Sequence, residues 1–275
     1  MEKVEVELKV FNSGWVPAHK SMVITGGRGK IRMPALFAMI RHPRQGVILY
    51  DTGYSTRFYE ATSKLPYRLM RIFTPAEIRE EDNADRQLLA AGVSPDEVRT
   101  IILGHGHADH SPGIVYFPNA EVVVESREWE AMQGSALKLF LNAYVKSLYE
   151  GIGNKIRLVD LEKQGKPCQG FDRGLDLFDD GSMILVSLPG HTAGQMGLLV
   201  NAASGKFFFI GDAAWITDNY LTLCPPARPA RLIIHSFKNF MNSLRKVQEF
   251  NRKFPEVIIV PSHCPSAWER VKGKP

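Results

Sequence analysis

The stretch IILGHGHADHSPG, residues 101–113, decides how this chain is read. An apolar run over residues 98–103 gives way to His105-Gly106-His107-Ala108-Asp109-His110, so a buried strand delivers three imidazoles and a carboxylate to its end. Alternate residues of an extended segment share a side, which pairs His105 with His107. Asp109 and His110 lie beyond them, where Ser111-Pro112-Gly113 lets the chain turn. One segment can therefore present ligands in two directions.

The same pattern recurs three times. Residues 183–188 end at Pro189-Gly190-His191, residues 207–210 at Gly211-Asp212, and residues 257–260 at His263. Side chains at strand ends are held by a rigid scaffold yet face a cleft. His105, His107, His110, His191 and His263 with Asp109 and Asp212 make a donor set of imidazole and carboxylate. That set suits zinc, manganese, iron or cobalt, and it includes no cysteine of the kind structural zinc sites use. Seven donors exceed what one open catalytic ion takes. They fit two divalent ions sharing a carboxylate, with zinc the first expectation.

The other segments frame these positions. Val4, Val6, Leu8 and Val10 alternate with Glu5, Glu7 and Lys9, the period of a half-buried strand. Residues 21–25, 35–41 and 46–50 read as further strands, together a β meander running into Asp51-Thr52-Gly53. Ser94-Pro95-Asp96-Glu97 has a capping-box pattern and predicts a short helix. Residues 121–124 and 175–178 read as strands, as do residues 196–200, and residues 126–149 as a helix. From Ala230 the spacing of Ile233, Phe237, Phe240, Leu244 and Val247 puts them on one helical face, ending before Pro255. Strand runs with interspersed helices in both halves suggest an α/β (α+β) fold of two packed sheets with helices outside, one domain over residues 1–275 with a helical insert at about 126–150.

Composition narrows the class. At 275 residues the chain can bury a full core, and its net charge of +5 is modest. From Pro225 to Pro275 ten Lys/Arg face three Asp/Glu. A solvated basic surface explains that excess, and nucleic acid is not an expected partner. Cys168, Cys224 and Cys264 form no C-x-x-C pair, so no disulfide framework is expected and a cytoplasmic location is the default. The N-terminus lacks the apolar core of a signal peptide, and no run is long enough to span a membrane. His19, His42 and His235 have no strand-end partners and read as surface or structural histidines. The glycine-rich segment 26–30 lacks the spacing of a phosphate loop.

The combination of His105-x-His107-x-Asp109-His110, Pro189-Gly190-His191-Thr192, Gly211-Asp212 and His263, preceded by Asp51-Thr52-Gly53, resembles the signature of the metallo-β-lactamase superfamily from about residue 35 to His263. The resemblance implies the αββα sandwich with the site at one edge between the sheets. It implies His105, His107 and His191 on one metal, Asp109, His110 and His263 on the second, and Asp212 as the bridge. Asp51 would fix a ligand histidine from behind.

Within that superfamily the chain is most similar to the N-acyl-homoserine lactonase branch. It has His110, which secreted β-lactamases usually lack. It has neither the C-terminal helical region of glyoxalase II-type thioesterases nor a fused flavin domain. The expected activity is hydrolysis of a lactone or related ester by a metal-bridging hydroxide, with Asp109 passing a proton to the leaving oxygen. Thioester or phosphoester hydrolysis on the same metals is the alternative, and a non-catalytic binding role a third reading. One position departs from the branch: Trp215 stands where its lactonases commonly carry a tyrosine. Tyr220 is the nearby hydroxyl that could substitute, and both are candidates for the substrate pocket. The oligomeric state is left open, a homodimer included.

Overall fold

A computed structural model describes residues 4–273. Among the described residues, twelve strands form two six-stranded mixed sheets. The first sheet runs in chain order through β1 (Glu7–His19), β2 (Lys30–His42), β3 (Gly46–Tyr50), β4 (Val98–Ile102), β5 (Glu121–Glu125) and β6 (Ile156–Val159). The second consists of β7 (Lys166–Cys168), β8 (Phe171–Asp176), β9 (Met183–Ser187), β10 (Met196–Ala202), β11 (Gly205–Gly211) and β12 (Ile258–Pro261), with β7 and β12 at its edges. β1 to β3 form the expected antiparallel meander, and β3 to β6 continue it in parallel.

Side-chain alternation builds the layers. Ile48 and Tyr50 of β3, Val123 of β5, Leu198 and Val200 of β10, and Phe207 and Phe209 of β11 share the core between the sheets. Their neighbours point outward. Leu49, Val122 and Val124 meet Leu88, Phe117 and Met132 outside the first sheet. Leu199, Phe208 and Ile210 meet Phe240, Leu244, Val247 and Phe250 of the helix Phe237–Lys253. Strands covered on both faces must be apolar throughout, which is why these runs read as continuous rather than alternating. The four layers are thus helix, sheet, sheet, helix.

Three local expectations differ from the structure. Residues 21–25 are not a strand: Lys20–Val23 is one short helical turn at the tip of the β1–β2 hairpin. Its neighbouring backbone groups are met by Asn219 and Pro225 rather than by a strand. The 126–149 helix is broken into Ser126–Met132, Ala136–Leu141 and the 3-10 turn Lys146–Leu148. Gly134-Ser135 interrupts it first, and Ala143 at φ 59° second. The last long helix begins at Phe237, where Ser236 accepts a capping bond from the Asn239 amide. Residues Pro229–Ile233 form a separate 3-10 turn that leaves Ile233 exposed. The Ser94–Glu97 capping box does form, on the 3-10 turn Pro95–Glu97. Among the described residues no helix is long and apolar enough to cross a membrane.

Candidate metal centre

The ends of β3, β4, β9, β11 and β12 converge at one edge between the sheets. Cross-links hold them there. The Met196 amide of β10 donates to the Gly104 carbonyl, and the Thr52 amide and hydroxyl both donate to the His110 carbonyl. Gly104 and Gly106 make the crowding possible. A Cβ at 104 would fall 2.6 Å from the Tyr50 hydroxyl, and one at 106 would fall 2.6 Å from Met132 Sδ.

The seven expected donors gather into two groups, His105–His107–His191 and Asp109–His110–Asp212–His263, each with donor atoms within 4.8 Å of one another. Asp212 faces both. One of its oxygens lies 3.2 Å from His191 Nε2, and the other lies 3.2 Å from His263 Nε2 and 3.5 Å from His110 Nε2. Asp109 Oδ2 is 3.1 Å from His263 Nε2. Within the first group His107 Nδ1 and His191 Nε2 are 3.0 Å apart.

Outer contacts fix which ring nitrogen faces inward. His107 Nε2 meets the Asn142 carbonyl at 2.9 Å, His110 Nδ1 meets Asp51 Oδ2 at 2.7 Å, and His263 Nδ1 meets the Pro34 carbonyl at 2.8 Å. Each partner is an acceptor, so each outer nitrogen carries a proton, and the inner one is left to give its lone pair to a metal ion that displaces any proton there. Asp51 also accepts from the Gly104 amide at 2.7 Å, joining the β3 and β4 ends.

Burial lowers the pKa of His105 and His107, and it takes His191 down to about 3, so these imidazoles are neutral donors. Burial opposes the charged form in the second group too. There the carboxylates outweigh it, raising His110 and taking His263 up to about 10, while the histidines hold Asp109 and Asp212 below the usual carboxylate range. Both ring nitrogens of His105, His191 Nδ1 and His110 Nε2 are buried without a hydrogen-bond partner among the described residues. Orphaned buried nitrogens are costly unless something else takes their lone pairs. The donor set therefore fits divalent metal ions.

The pocket candidates separate. Trp215 is nearly buried beside the first group, its ring edge-on to His191 at 6.2 Å, and its indole N–H has no partner among the described residues. Tyr220 is not brought to the histidines. It packs among Phe208, Phe240 and Val247 with its hydroxyl near Thr217, because the helix Thr217–Thr222 turns it into that layer. His42 is a structural histidine bonded to Asp180, while His19 and His235 are exposed. The sequence gives no warning of Glu128. This fully buried carboxylate accepts from the Gly106 and Gly194 amides, yet its type and spacing suit any solvated helix face.

The model of the metallo-beta-lactamase superfamily matches residues 34–263. The N-acyl homoserine lactonase AttM of Azorhizobium caulinodans is 25% identical over 278 residues, covering 98% of each chain. A solved N-acyl homoserine lactone hydrolase with N-hexanoyl-L-homoserine bound at its catalytic metal center superposes with TM-score 0.75 at 19% identity, covering 98% of this chain and 96% of that one. AidC, described as a dizinc quorum-quenching lactonase, superposes with TM-score 0.65 at 19% identity, covering 96% and 90%. With the family model running from within β2 through β12 and taking in all seven donors, the chain belongs to the metallo-beta-lactamase superfamily.

Proposed function

We propose that the chain is a dinuclear metal-dependent hydrolase that opens a lactone ring, with N-acyl-homoserine lactones as the leading substrate class. The observation that carries this reading is Asp212, whose two oxygens face the two donor groups. A relative named as an N-acyl homoserine lactonase, aligned over 98% of this chain, supports the substrate class. His105, His107 and His191 would hold one ion, Asp109, His110 and His263 the other, and Asp212 both. When bound, the ions supply a Lewis acid and acidify water near neutral pH.

The side chains prepare the rest. The outer bonds of His107, His110 and His263 hold the other ring nitrogen of each inward. Asp109 is the most exposed of the seven donors, so it is the one a substrate can reach. Flanked by His110 and His263, it can take a proton from attacking water and pass it to the departing ring oxygen. Trp215 walls the first donor group beside His191, its indole N–H buried and without a partner among the described residues.

The test joins metal analysis to an activity panel of homoserine lactones of several acyl lengths, simple γ- and δ-lactones, an aryl ester, a thioester, a phosphodiester and a β-lactam. Two metals per chain and a preference for lactones are expected. Less than one metal per chain, with no activity after reconstitution with zinc, manganese, cobalt or iron, defeats the reading. A preference for the thioester or phosphodiester would keep the metal centre and replace the substrate.

A further inference from the structure

Glu128 lies on the helix Ser126–Met132 and is fully buried. Its Oε1 accepts from the Gly106 N–H at 2.9 Å and from the Tyr144 hydroxyl at 2.8 Å, and its Oε2 accepts from the Gly194 N–H at 3.0 Å. All three partners donate, and an ionised carboxylate offers acceptors at both ends. Gly106 sits between His105 and His107, and Gly194 lies in the β9–β10 loop that carries His191. Both loops reach the helix through glycine. A Cβ at Gly106 would meet Met132 Sδ, and one at Gly194 would fall 2.4 Å from the Glu128 backbone nitrogen. The Tyr144 ring also packs edge-on against His107 at 5.1 Å. One carboxylate thus bonds both the backbone between His105 and His107 and the loop that carries His191. The second group rests on other supports, with His110 on Asp51 and His263 on the Pro34 carbonyl.

We infer that Glu128 is a positioning residue: it clamps the His105–His107 segment and the His191 loop to one helix and so sets the metal affinity of the first group alone. This rests on the dinuclear reading above. A neutral amide of the same shape has one acceptor end and one donor end. Glu128→Gln must therefore turn an NH₂ towards one glycine N–H, while filling the same volume.

The experiment compares wild type, Glu128→Gln and Tyr144→Phe. Amide hydrogen exchange is followed on the metal-free chains, and zinc is titrated against a competing chelator. In Glu128→Gln, exchange at Gly106 or Gly194 is expected to be at least about tenfold faster, with Leu198 of β10 unchanged. One of two zinc equivalents should weaken at least about tenfold and the other stay within about threefold. Tyr144→Phe leaves both glycine bonds, so it should hold both equivalents within about threefold. Unchanged exchange at both glycines, equal weakening of both equivalents, or general acceleration that includes Leu198 would each overturn the proposal. Failure of the wild type to bind zinc defeats the dinuclear reading instead, and exchange at the two glycines then decides the clamp by itself.

Discussion

Asp51 adopts φ 57°, in the left-handed region that few non-glycine residues enter. The conformation aims one carboxylate oxygen at His110 and the other at the Gly104 amide, so a single side chain orients a donor and closes the β3–β4 gap. Asparagine tolerates that backbone but cannot accept at both ends. Asp51→Asn is expected to lower metal affinity about 10- to 100-fold while the melting temperature stays close to wild type, as chelator competition and calorimetry would show. Asp109→Asn should keep metal yet lose about 10²- to 10⁴-fold in kcat, the range of a lost acid–base group. Full turnover in that variant would remove Asp109 from proton transfer. Trp215→Phe deletes the unpartnered N–H, and it is expected to change lactone kcat or KM with metal content unaltered.

The helix Phe237–Lys253 is tied to the metal centre through its N-terminal end. The His235 and Ser236 amides donate to the His191 and Gly190 carbonyls, and Ser243 donates to the Pro189 carbonyl. Gly190 has φ 139°, and a Cβ there would lie 2.1 Å from the Phe240 nitrogen. Gly190→Ala must push the helix away and carry His191 with it. Metal should be lost together with melting temperature, measured by elemental analysis and thermal unfolding. Phe240→Ala acts on the same element without touching the donor loop. It should cost about 3–5 kcal/mol of stability, seen in denaturant unfolding, with metal stoichiometry preserved in the folded fraction. Equal metal loss in both variants would mean that helix packing, and not the glycine contact, places His191.

Across the whole molecule the two sheets are also joined far from the donors. His42 ends β2 and Asp180 lies in the β8–β9 connection. Their side chains meet at 3.0 Å, with Arg44 on the same carboxylate oxygen. Partial burial would raise the Asp180 pKa, but the Ser182 contacts, Arg44 and His42 hold it at about 2. A carboxyl depressed on folding contributes stability above its unfolded pKa of about 4, and that stability is lost as pH falls through the folded value. Asp180→Asn should therefore melt below wild type at pH 7, and the gap should close between about pH 4 and pH 2. A gap independent of pH would show that packing rather than charge joins the sheets there.

How much of this was legible in the chain depends on the reach of each interaction. The sequence by itself picked out the seven residues that the fold gathers into two groups, because each follows an apolar run whose strand end holds it in place. It determined the layered fold, because strands covered on both faces must be apolar throughout. It also showed the short helix at Ser94–Glu97, whose capping contacts are local. Only the tertiary structure decided that residues 21–25 form a helical turn, since the partners of that backbone lie about 200 residues away at Asn219 and Pro225. It separated Trp215, beside His191, from Tyr220, under the long helix, although both follow the same strand. And it decided the role of Glu128: a glutamate on a helix is ordinary until two distant glycine loops bring their N–H groups to it, and no local pattern records which loops a fold will bring together.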